Sequence, residues 1–310
     1  MAKAILIAGK ICAGKTDYAQ SMLETRRAVL LSCDEATLTL FPEGLGEGHD
    51  AMMPKVKAYL LSKATEILGT GADVILDWGF WKKSEREAMN RYFSGQNIAA
   101  EWHYVDVSDE QWQKNILERN RKVQTGEEMG YIADEGLIRK CAAAFEVPAK
   151  EETDVWVSTG RGIPLRIRKY EDSFREEVWK LILDAKRALG RENPTLNEDL
   201  KDIDANYAAK GDAFWIALDR DGNLLATLGY SSVSDTAEAV LHRFYVRCDL
   251  KRQGIGTQML NYAEDFLRER NKTKIRVHLG ADYTESHSFY PKRGYSFTGP
   301  LEMEKALTRD

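Results

Sequence analysis

AILIAGKICAGKT, residues 4–16, joins a short apolar run to a loop of the form G-x-x-x-x-G-K-S/T. The apolar run predicts a buried strand, and the pattern that follows Lys15 predicts a helix. Between a strand and a helix, the backbone N–H groups of such a loop wrap phosphate oxygens. The stretch therefore predicts a nucleotide-binding α/β domain at the start of the chain.

Each position of this loop has a role in holding phosphates. Gly9 and Gly14 allow the backbone its turn. Lys15 would reach the terminal phosphates as a point charge, and the Thr16 hydroxyl would ligate Mg²⁺. The predicted nucleotide contacts are made by Gly9, Cys12, Ala13, Gly14, Lys15 and Thr16.

The first half of the chain alternates short apolar runs with helical patterns. Strands are predicted at 4–8, 28–32, 73–77, 98–105 and 155–157, and helices at 15–25, 54–68, 84–94, 109–121 and 134–144. Short buried strands that alternate with helices indicate βαβ units, and hence a parallel sheet flanked by helices.

Two aspartates lie at the predicted carboxyl ends of strands, where an open sheet places its ligand crevice. Asp34 can accept the proton of an attacking substrate hydroxyl, as in-line phosphoryl transfer requires. The alternative for Asp34 is an N-cap of the following helix. Asp77, in VILDWGFW, can hold Mg²⁺ or its water, or can equally cap a helix. Phe80 and Trp81 would form a substrate wall or pack against the sheet.

Two arginines, Arg119 and Arg121, lie at the end of a predicted helix and before a loop that contains glycine. Kinases that work without a partner protein need mobile cations to stabilise charge on the transferring phosphoryl group. Both arginines are therefore lid candidates, and the alternative is that they are solvated surface residues.

The motifs of residues 1–157 together resemble the P-loop small-molecule kinases that include chloramphenicol phosphotransferase-like and zeta-toxin-like proteins. The matching segments are LIAGKICAGKT, SCDE, VILDWGF, the arginine-bearing lid and FEVP at 145–148. The resemblance implies ATP as phosphoryl donor and a small acceptor with a hydroxyl group, such as an antibiotic or a sugar derivative.

Glycine and proline at 158–163 and at Pro164 indicate a linker, after which the pattern changes. A kinase domain is thus predicted at 1–157 and a second domain at 164–310. In the second domain, strands are predicted at 165–170, 213–218, 224–230, 239–246, 275–279 and 295–298, and helices at 172–189 and 256–270. Residues 219–223 predict a hairpin turn. This order indicates an α/β domain with a mixed sheet.

A second glycine-containing loop, KRQGIGT, follows the strand that ends at Val246 and opens an amphipathic helix. Its backbone N–H groups can bind a pyrophosphate. With FYPKRGY at 289–295, residues 163–300 resemble the GNAT acetyltransferase superfamily, whose signature is Q/R-x-x-G-x-G/A followed by F-Y-x-x-x-G-F/Y. Lys251 stands where the signature has Gln or Arg.

The GNAT resemblance implies acetyl-CoA as acyl donor, with its pantetheine alongside the strand that ends at Val246. Its pyrophosphate is expected on Lys251, Arg252, Gln253, Gly254, Ile255, Gly256 and Thr257. Tyr290 matches the tyrosine that protonates the leaving thiolate, and the alternative is ordinary core packing. Glu238 and His242 are the two candidates for the base, because they share a strand face with the position at which family members carry Glu.

Composition limits the functional classes. The chain has 310 residues, 43% hydrophobic and 30% charged, with net charge −5, so a basic nucleic-acid platform is not expected. Apolar runs too short to cross a bilayer and a start without a signal-peptide pattern predict a cytoplasmic protein. Oligomeric state is left open.

The sequence favours a bifunctional transferase that phosphorylates a hydroxyl and acetylates an amine of small molecules, for which aminated antibiotics are one acceptor class. Alternatives are a cofactor-binding domain that regulates the other, or a zeta-toxin-like nucleotide-sugar kinase.

Overall fold

The computed structural model describes residues 2–42, 45–128, 130–159 and 163–308. The chain divides into two compact units, residues 1–160 and 161–310. Of the predicted linker, residues 160–162 lie outside the described residues. Within the described part of the chain, no helix is both long enough and apolar enough to cross a bilayer.

The first unit contains a five-stranded sheet whose strands are all parallel. The strands are β1 (Lys3–Ala8), β2 (Ala28–Ser32), β3 (Asp73–Gly79), β4 (Ala99–Asp106) and β5 (Val155–Ser158). Their order is β5-β4-β1-β3-β2. The central strands are apolar on both faces because helices cover both sides of the sheet. The predicted parallel α/β fold of this half is confirmed.

Helices alternate with these strands and bring loops to the carboxyl edge of the sheet. They are α1 (Lys15–Leu23), α2 (Cys33–Leu40), α3 (His49–Gly69), α4 (Lys83–Ser94), α5 (Asp109–Thr125) and α6 (Glu135–Ala144). Helix α2 was not predicted, since it has only eight residues and shows little amphipathic pattern. It forms because the Ser32 hydroxyl caps it, accepting a hydrogen bond from the Glu35 N–H at 3.2 Å.

The second unit contains a mixed sheet of seven strands. These are β6 (Leu165–Lys169), β7 (Ala213–Leu218), β8 (Leu224–Ser232), β9 (Glu238–Val246), β10 (Lys274–His278), β11 (Ser296–Gly299) and β12 (Glu302–Ala306). Their order is β11-β12-β10-β9-β8-β7-β6, with only β9 and β10 parallel. The predicted hairpin of β7 and β8 is confirmed, whereas β12 was not predicted.

Four helices accompany this sheet: α7 (Arg175–Arg187), α8 (Ile203–Asn206), α9 (Ile255–Glu269) and α10 (Thr284–Phe289). Helix α9 is strongly amphipathic, and its apolar stripe is buried against the sheet, where Phe266 of the helix packs against Trp215 and Tyr230. On the other face, α7 packs with Tyr207 and Phe214 into a second cluster. The predicted mixed α/β fold of this half is confirmed.

Strands β9 and β10 pair only part of the way along β9. Their register runs from Glu238 to Leu241, while β9 continues to Val246. A β-bulge follows at once, because Gly229 of β8 pairs with His242 and the register then shifts, with Arg243 at φ +55°. The bulge thus lies just past the last residue of β9 that pairs with β10.

Candidate active sites

The phosphate loop of the first unit has the backbone shape that its sequence predicts. Gly14 has φ +90° and is the N-cap of α1, with no side-chain cap, so the first N–H groups of α1 are left for a ligand. A Cβ at Gly9 would lie 3.1 Å from the Val105 carbonyl oxygen. Cys12 also has positive φ, and its carbonyl accepts a hydrogen bond from the Asn115 side chain at 3.0 Å.

Lys15 is partly buried at the start of α1. Its Nζ donates a hydrogen bond to the Lys10 carbonyl at 2.8 Å, which folds the side chain back along the loop. Burial lowers the pKa of Lys15, and the carboxylates of Asp77 and Asp34 oppose that shift. The partly desolvated ammonium of Lys15 would therefore attract a phosphate group strongly.

Thr16 and Asp77 form the pair expected for Mg²⁺. The Thr16 hydroxyl donates to Asp77 Oδ2 at 2.7 Å, and burial raises the pKa of the Asp77 carboxyl, opposed by Lys15 and Thr16. Asp77 lies inside β3 and caps no helix, since the N-cap of α4 is Lys82. No cluster of three or more His, Cys, Asp or Glu suited to a metal occurs among the described residues. A hydroxyl, one carboxylate, phosphates and water are nevertheless a usual Mg²⁺ shell.

Asp34 lies in the first turn of α2 and is not the N-cap, because Ser32 fills that position. Its side chain lines a cavity of about 480 Å³ that begins at the phosphate loop. The cavity is lined by residues from the phosphate loop, from β3 and from helices α2 to α6 with their adjoining loops, including Cys12, Ala13, Gly14, Lys15, Thr16, Cys33, Asp34, His49, Met53, Lys57, Asp77, Trp78, Trp81, Glu85, Arg119, Tyr131 and Cys141. One cavity thus holds the predicted base, the Mg²⁺ pair and the phosphate loop.

The two arginines predicted as lid residues have different surroundings. Arg119 lines the cavity, and its Nε is buried without a hydrogen-bond partner within the described residues. Arg121 does not line the cavity; it is about half exposed and pairs with Glu118 at 2.9 Å and Glu127 at 2.7 Å. Helical spacing explains the difference, since residues two apart point to different sides of α5.

The aromatic residues at the end of β3 and just after it also have different surroundings. Phe80 is buried and packs between Trp78 and Trp102, with ring centroids 5.7 and 5.0 Å away. Trp78 and Trp81 line the cavity instead, and the Trp78 indole donates to the Leu31 carbonyl at 3.0 Å. No sequence motif marks Trp78 or the α3 residues that line the cavity.

In the second unit, the loop at 251–257 starts α9 as the phosphate loop starts α1. Gly254 has φ +84° and is the N-cap without a side-chain cap, and Arg252 has φ +63°. The exposed Lys251 ammonium pairs with Glu285 at 2.7 Å. A Cβ at Gly256 would meet the Phe289 ring at 3.3 Å, so this glycine allows α9 and α10 to approach.

The two candidates for the base have different surroundings. Glu238 forms ion pairs with Lys274 at 3.2 Å and Arg276 at 2.9 Å, at the paired end of β9. His242 lies at the bulge, one residue past the last pair of β9 with β10, and its Nε2 is 3.0 Å from the Ser231 hydroxyl. Burial, with a smaller contribution from Arg243, lowers the pKa of His242 to about 4. The imidazole is therefore neutral near pH 7.

A second cavity, of about 510 Å³, lies beside His242. Its walls come from the segment before and within α8 and from β8 and β9, and they are Asn197, Glu198, Asp199, Asn206, Tyr207, Lys210, Ser231, His242 and Arg243. Arg243 holds Asp199 at 2.7 Å, and the Tyr207 hydroxyl donates to the same carboxylate at 2.5 Å. These contacts fix the α8 segment against the bulge of β9.

Tyr290 is 6% exposed and packs against Phe289 and Tyr295 at the end of α10. Burial raises the pKa of its phenol. The hydroxyl is therefore protonated at neutral pH, as a proton donor to a thiolate must be.

Comparisons with known proteins identify both halves. Residues 5–144 match the family model described as AAA domain, and residues 176–295 match the acetyltransferase (GNAT) family. A stretch of 59 residues is 41% identical to the uncharacterized N-acetyltransferase YesJ of Bacillus subtilis (strain 168), covering 19% of this chain and 33% of that protein. The chain thus spans about a third of the length of this curated relative.

Solved structures of acetyltransferases are also similar to part of this chain. A GNAT-family acetyltransferase from Staphylococcus aureus Mu50 is 22% identical, with TM-score 0.43, covering 46% of this chain and 99% of that one. An acetyltransferase from Streptococcus agalactiae 2603 is 20% identical, with TM-score 0.42, covering 46% and 98%. By the two family models alone, residues 5–144 match a P-loop domain of the AAA type and residues 176–295 match a domain of the acetyltransferase (GNAT) family.

Proposed function

We propose that the protein is a bifunctional transferase, with an ATP-dependent kinase at residues 1–157 and an acetyl-CoA-dependent N-acetyltransferase at residues 164–310. The observation that carries the kinase proposal is the cavity in which Lys15, Thr16, Asp34, Asp77 and Arg119 meet. A switch or motor needs a nucleotide site, but only a kinase needs a carboxylate placed to receive a proton from an acceptor hydroxyl.

The residues of the cavity fit Mg·ATP. The absence of a Cβ at Gly9 lets the Lys15 side chain fold along the loop, and the free N–H groups of α1 offer donors to phosphate oxygens. Thr16 and Asp77 would hold Mg²⁺, which when bound neutralises charge on the phosphates. The partly buried cation of Lys15 would bind the terminal phosphates.

Proton removal and charge stabilisation complete the proposed phosphoryl transfer. Asp34 would take the proton of the acceptor hydroxyl. The acceptor oxygen bonds to the γ-phosphorus at the same time as the bond from that phosphorus to the leaving nucleoside diphosphate breaks. Arg119, which brings a cation to the same cavity, would stabilise the charge on the transferring group.

For acetyl transfer, we propose His242 as the base. Glu238 is engaged by two cations, whereas the neutral His242 lines the second cavity. His242 would accept the amine proton, directly or through water, as the new C–N bond forms and the thioester C–S bond breaks. Tyr290 would return a proton to the thiolate. Acetyl-CoA supplies the activated acetyl group, and its pyrophosphate fits the uncapped start of α9.

We propose small polar acceptors that carry hydroxyl and amine groups, aminated antibiotics among them, and a cytoplasmic location. Incubation with ATP and with acetyl-CoA across a panel of aminated sugars, read by mass spectrometry, tests both activities. Asp34→Asn should lower phosphorylation by about 10²-fold and leave acetylation intact, and His242→Gln should do the reverse. Glu66→Gln, an exposed carboxylate on α3, is the control. If no acceptor gains a phosphoryl group, the kinase proposal fails.

A further inference from the structure

Tyr131 has a buried hydroxyl that nothing in the site accounts for. The residue lies between α5 and α6, and its hydroxyl has no hydrogen-bond partner among the described residues. Arg119 Nε shares this property, and both side chains line the cavity of the phosphate loop. A buried donor without a partner costs free energy, so a ligand in the cavity is the natural source of the missing acceptors.

The backbone around Tyr131 is held firmly against α5. Asn120 Nδ2 donates to the Ala133 carbonyl at 3.0 Å, and the Ala133 N–H donates to Asn120 Oδ1 at 2.8 Å. A Cβ at Gly130 would lie 3.4 Å from Arg119 Nη2, so the loop passes directly over the guanidinium. Tyr131 and Arg119 are therefore positioned together.

The chemistry of these groups selects an anion. A phenol hydroxyl and a guanidinium N–H both donate, and they share their cavity with Lys15 and with the free N–H groups of α1. The acceptor that such a set fits is a phosphate oxygen, since charge-assisted hydrogen bonds from several donors are strongest on an oxyanion.

We infer that Tyr131 is a further binding residue of this site, which donates a hydrogen bond to an oxygen of the terminal phosphoryl group of the nucleoside triphosphate beside Arg119. The inference rests on the proposed kinase function. It makes Tyr131 a sensor of the γ-phosphate, so that the enzyme distinguishes a triphosphate from a diphosphate before the acceptor binds.

Nucleotide binding to the full chain tests this without an acceptor. Dissociation constants are measured by calorimetry for a non-hydrolysable ATP analogue and for ADP, each with Mg²⁺. Tyr131→Phe removes only the hydroxyl and should weaken the ATP analogue about 10-fold, because a hydrogen bond to a charged group is lost. ADP binding should change by less than about twofold. Tyr59→Phe, on α3 and 63% exposed, is the matched control and should change neither constant.

The remaining outcomes decide against the inference in different ways. Equal weakening of both nucleotides would assign Tyr131 a structural role, and unchanged constants would show that its hydroxyl does not touch the nucleotide. If wild type binds neither nucleotide, the proposed kinase function itself fails, and the inference falls with it. If wild type binds both nucleotides but Tyr131→Phe does not weaken the ATP analogue selectively, the inference about Tyr131 is wrong and the kinase proposal is unaffected.

Discussion

The starts of α1 and α9 are alike in backbone and different in their surroundings. Each helix has a left-handed glycine as N-cap, Gly14 at φ +90° and Gly254 at φ +84°, and neither has a side-chain cap. At α1 the adjacent cation, Lys15, is partly buried beside carboxylates. At α9 the adjacent cation, Lys251, is exposed and paired with Glu285. The two helix starts thus share one backbone conformation, but only the start of α1 has a partly buried side-chain charge beside it.

This difference indicates how binding energy is distributed at the two sites. A buried cation is costly to desolvate, so a phosphate that pairs with it recovers a large amount of free energy through one side chain. Exposed cations are screened by water and contribute little each. At α9 most of the affinity should therefore come from backbone N–H groups, which side-chain substitutions alter only when they fill or distort the loop.

The largest effect is expected for Lys15→Ala. Loss of the partly buried cation should lower phosphoryl transfer by about 10³-fold, because one group that stabilises the transferring charge is removed from a water-poor site. Acetylation should remain. Phosphorylation and acetylation rates of one preparation measure both effects.

Lys63→Ala is the control, since Lys63 on α3 is exposed, pairs with Glu66 and does not line the cavity. A Lys15→Ala protein that phosphorylates at the wild-type rate would contradict the comparison, because the partly buried charge would then carry no catalytic role.

The corresponding change at α9 is Gly254→Glu. A side chain at this left-handed position strains the loop, and its carboxylate repels a pyrophosphate, so CoA affinity should fall by about 10²-fold. Gly190→Glu tests the backbone effect alone, because Gly190 also has positive φ, +82°, and open space around it. Calorimetry with CoA compares the two. Similar loss in both variants would mean that strain, and not the loop's role in binding, explains the result.

Sequence patterns predicted the parts of each site that depend on local backbone. The glycine loops, the strands before them and the hairpin of β7 and β8 follow from spacing and periodicity. Asp34 and Asp77 were found because carboxyl ends of parallel strands meet at one edge of a sheet. The alternative roles of these aspartates as helix caps are wrong, because Ser32 is the N-cap of α2 and Lys82 is the N-cap of α4.

Residues that reach a site from distant elements carry no such signal. Tyr131 and Trp78 enter the cavity through tertiary packing, and no local rule marks them. Arg119 and Arg121 are equivalent in sequence, and the side of α5 that faces the cavity distinguishes them. Strand β12 was missed because its alternation of polar and apolar residues is short, with Met303 as its one fully buried side chain.

Partly buried titratable groups extend the comparison to pH. Lys15 lies among carboxylates, and His242 is partly buried beside Arg243, where desolvation lowers the pKa of His242 to about 4. The native state therefore binds fewer protons than the unfolded state between about pH 6.5 and 4. Stability of the second unit is full above that range and falls as pH falls through it, by at most about 3 kcal/mol.

Hydrogen exchange of the β9 amides at pH 7 and pH 5, corrected for intrinsic rates, measures this loss. In His242→Gln the β9 amides should keep nearly the same free energy of opening at both pH values. Parallel decreases in wild type and variant would show that another group causes the pH dependence.

The smallest effect is expected for Glu285→Gln. Its carboxylate lies 2.7 Å from Lys251 Nζ, and both side chains are exposed, so the ion pair is worth at most about 1 kcal/mol. Removing the charge frees Lys251 for the pyrophosphate, and CoA should bind up to about fivefold tighter at low salt, with the gain vanishing as screening increases. Calorimetric titration with CoA at low and high ionic strength measures it. A gain that far exceeds this range, or persists in high salt, would mean that Lys251 acts as a dominant charge like Lys15, and the contrast between the two helix starts would disappear.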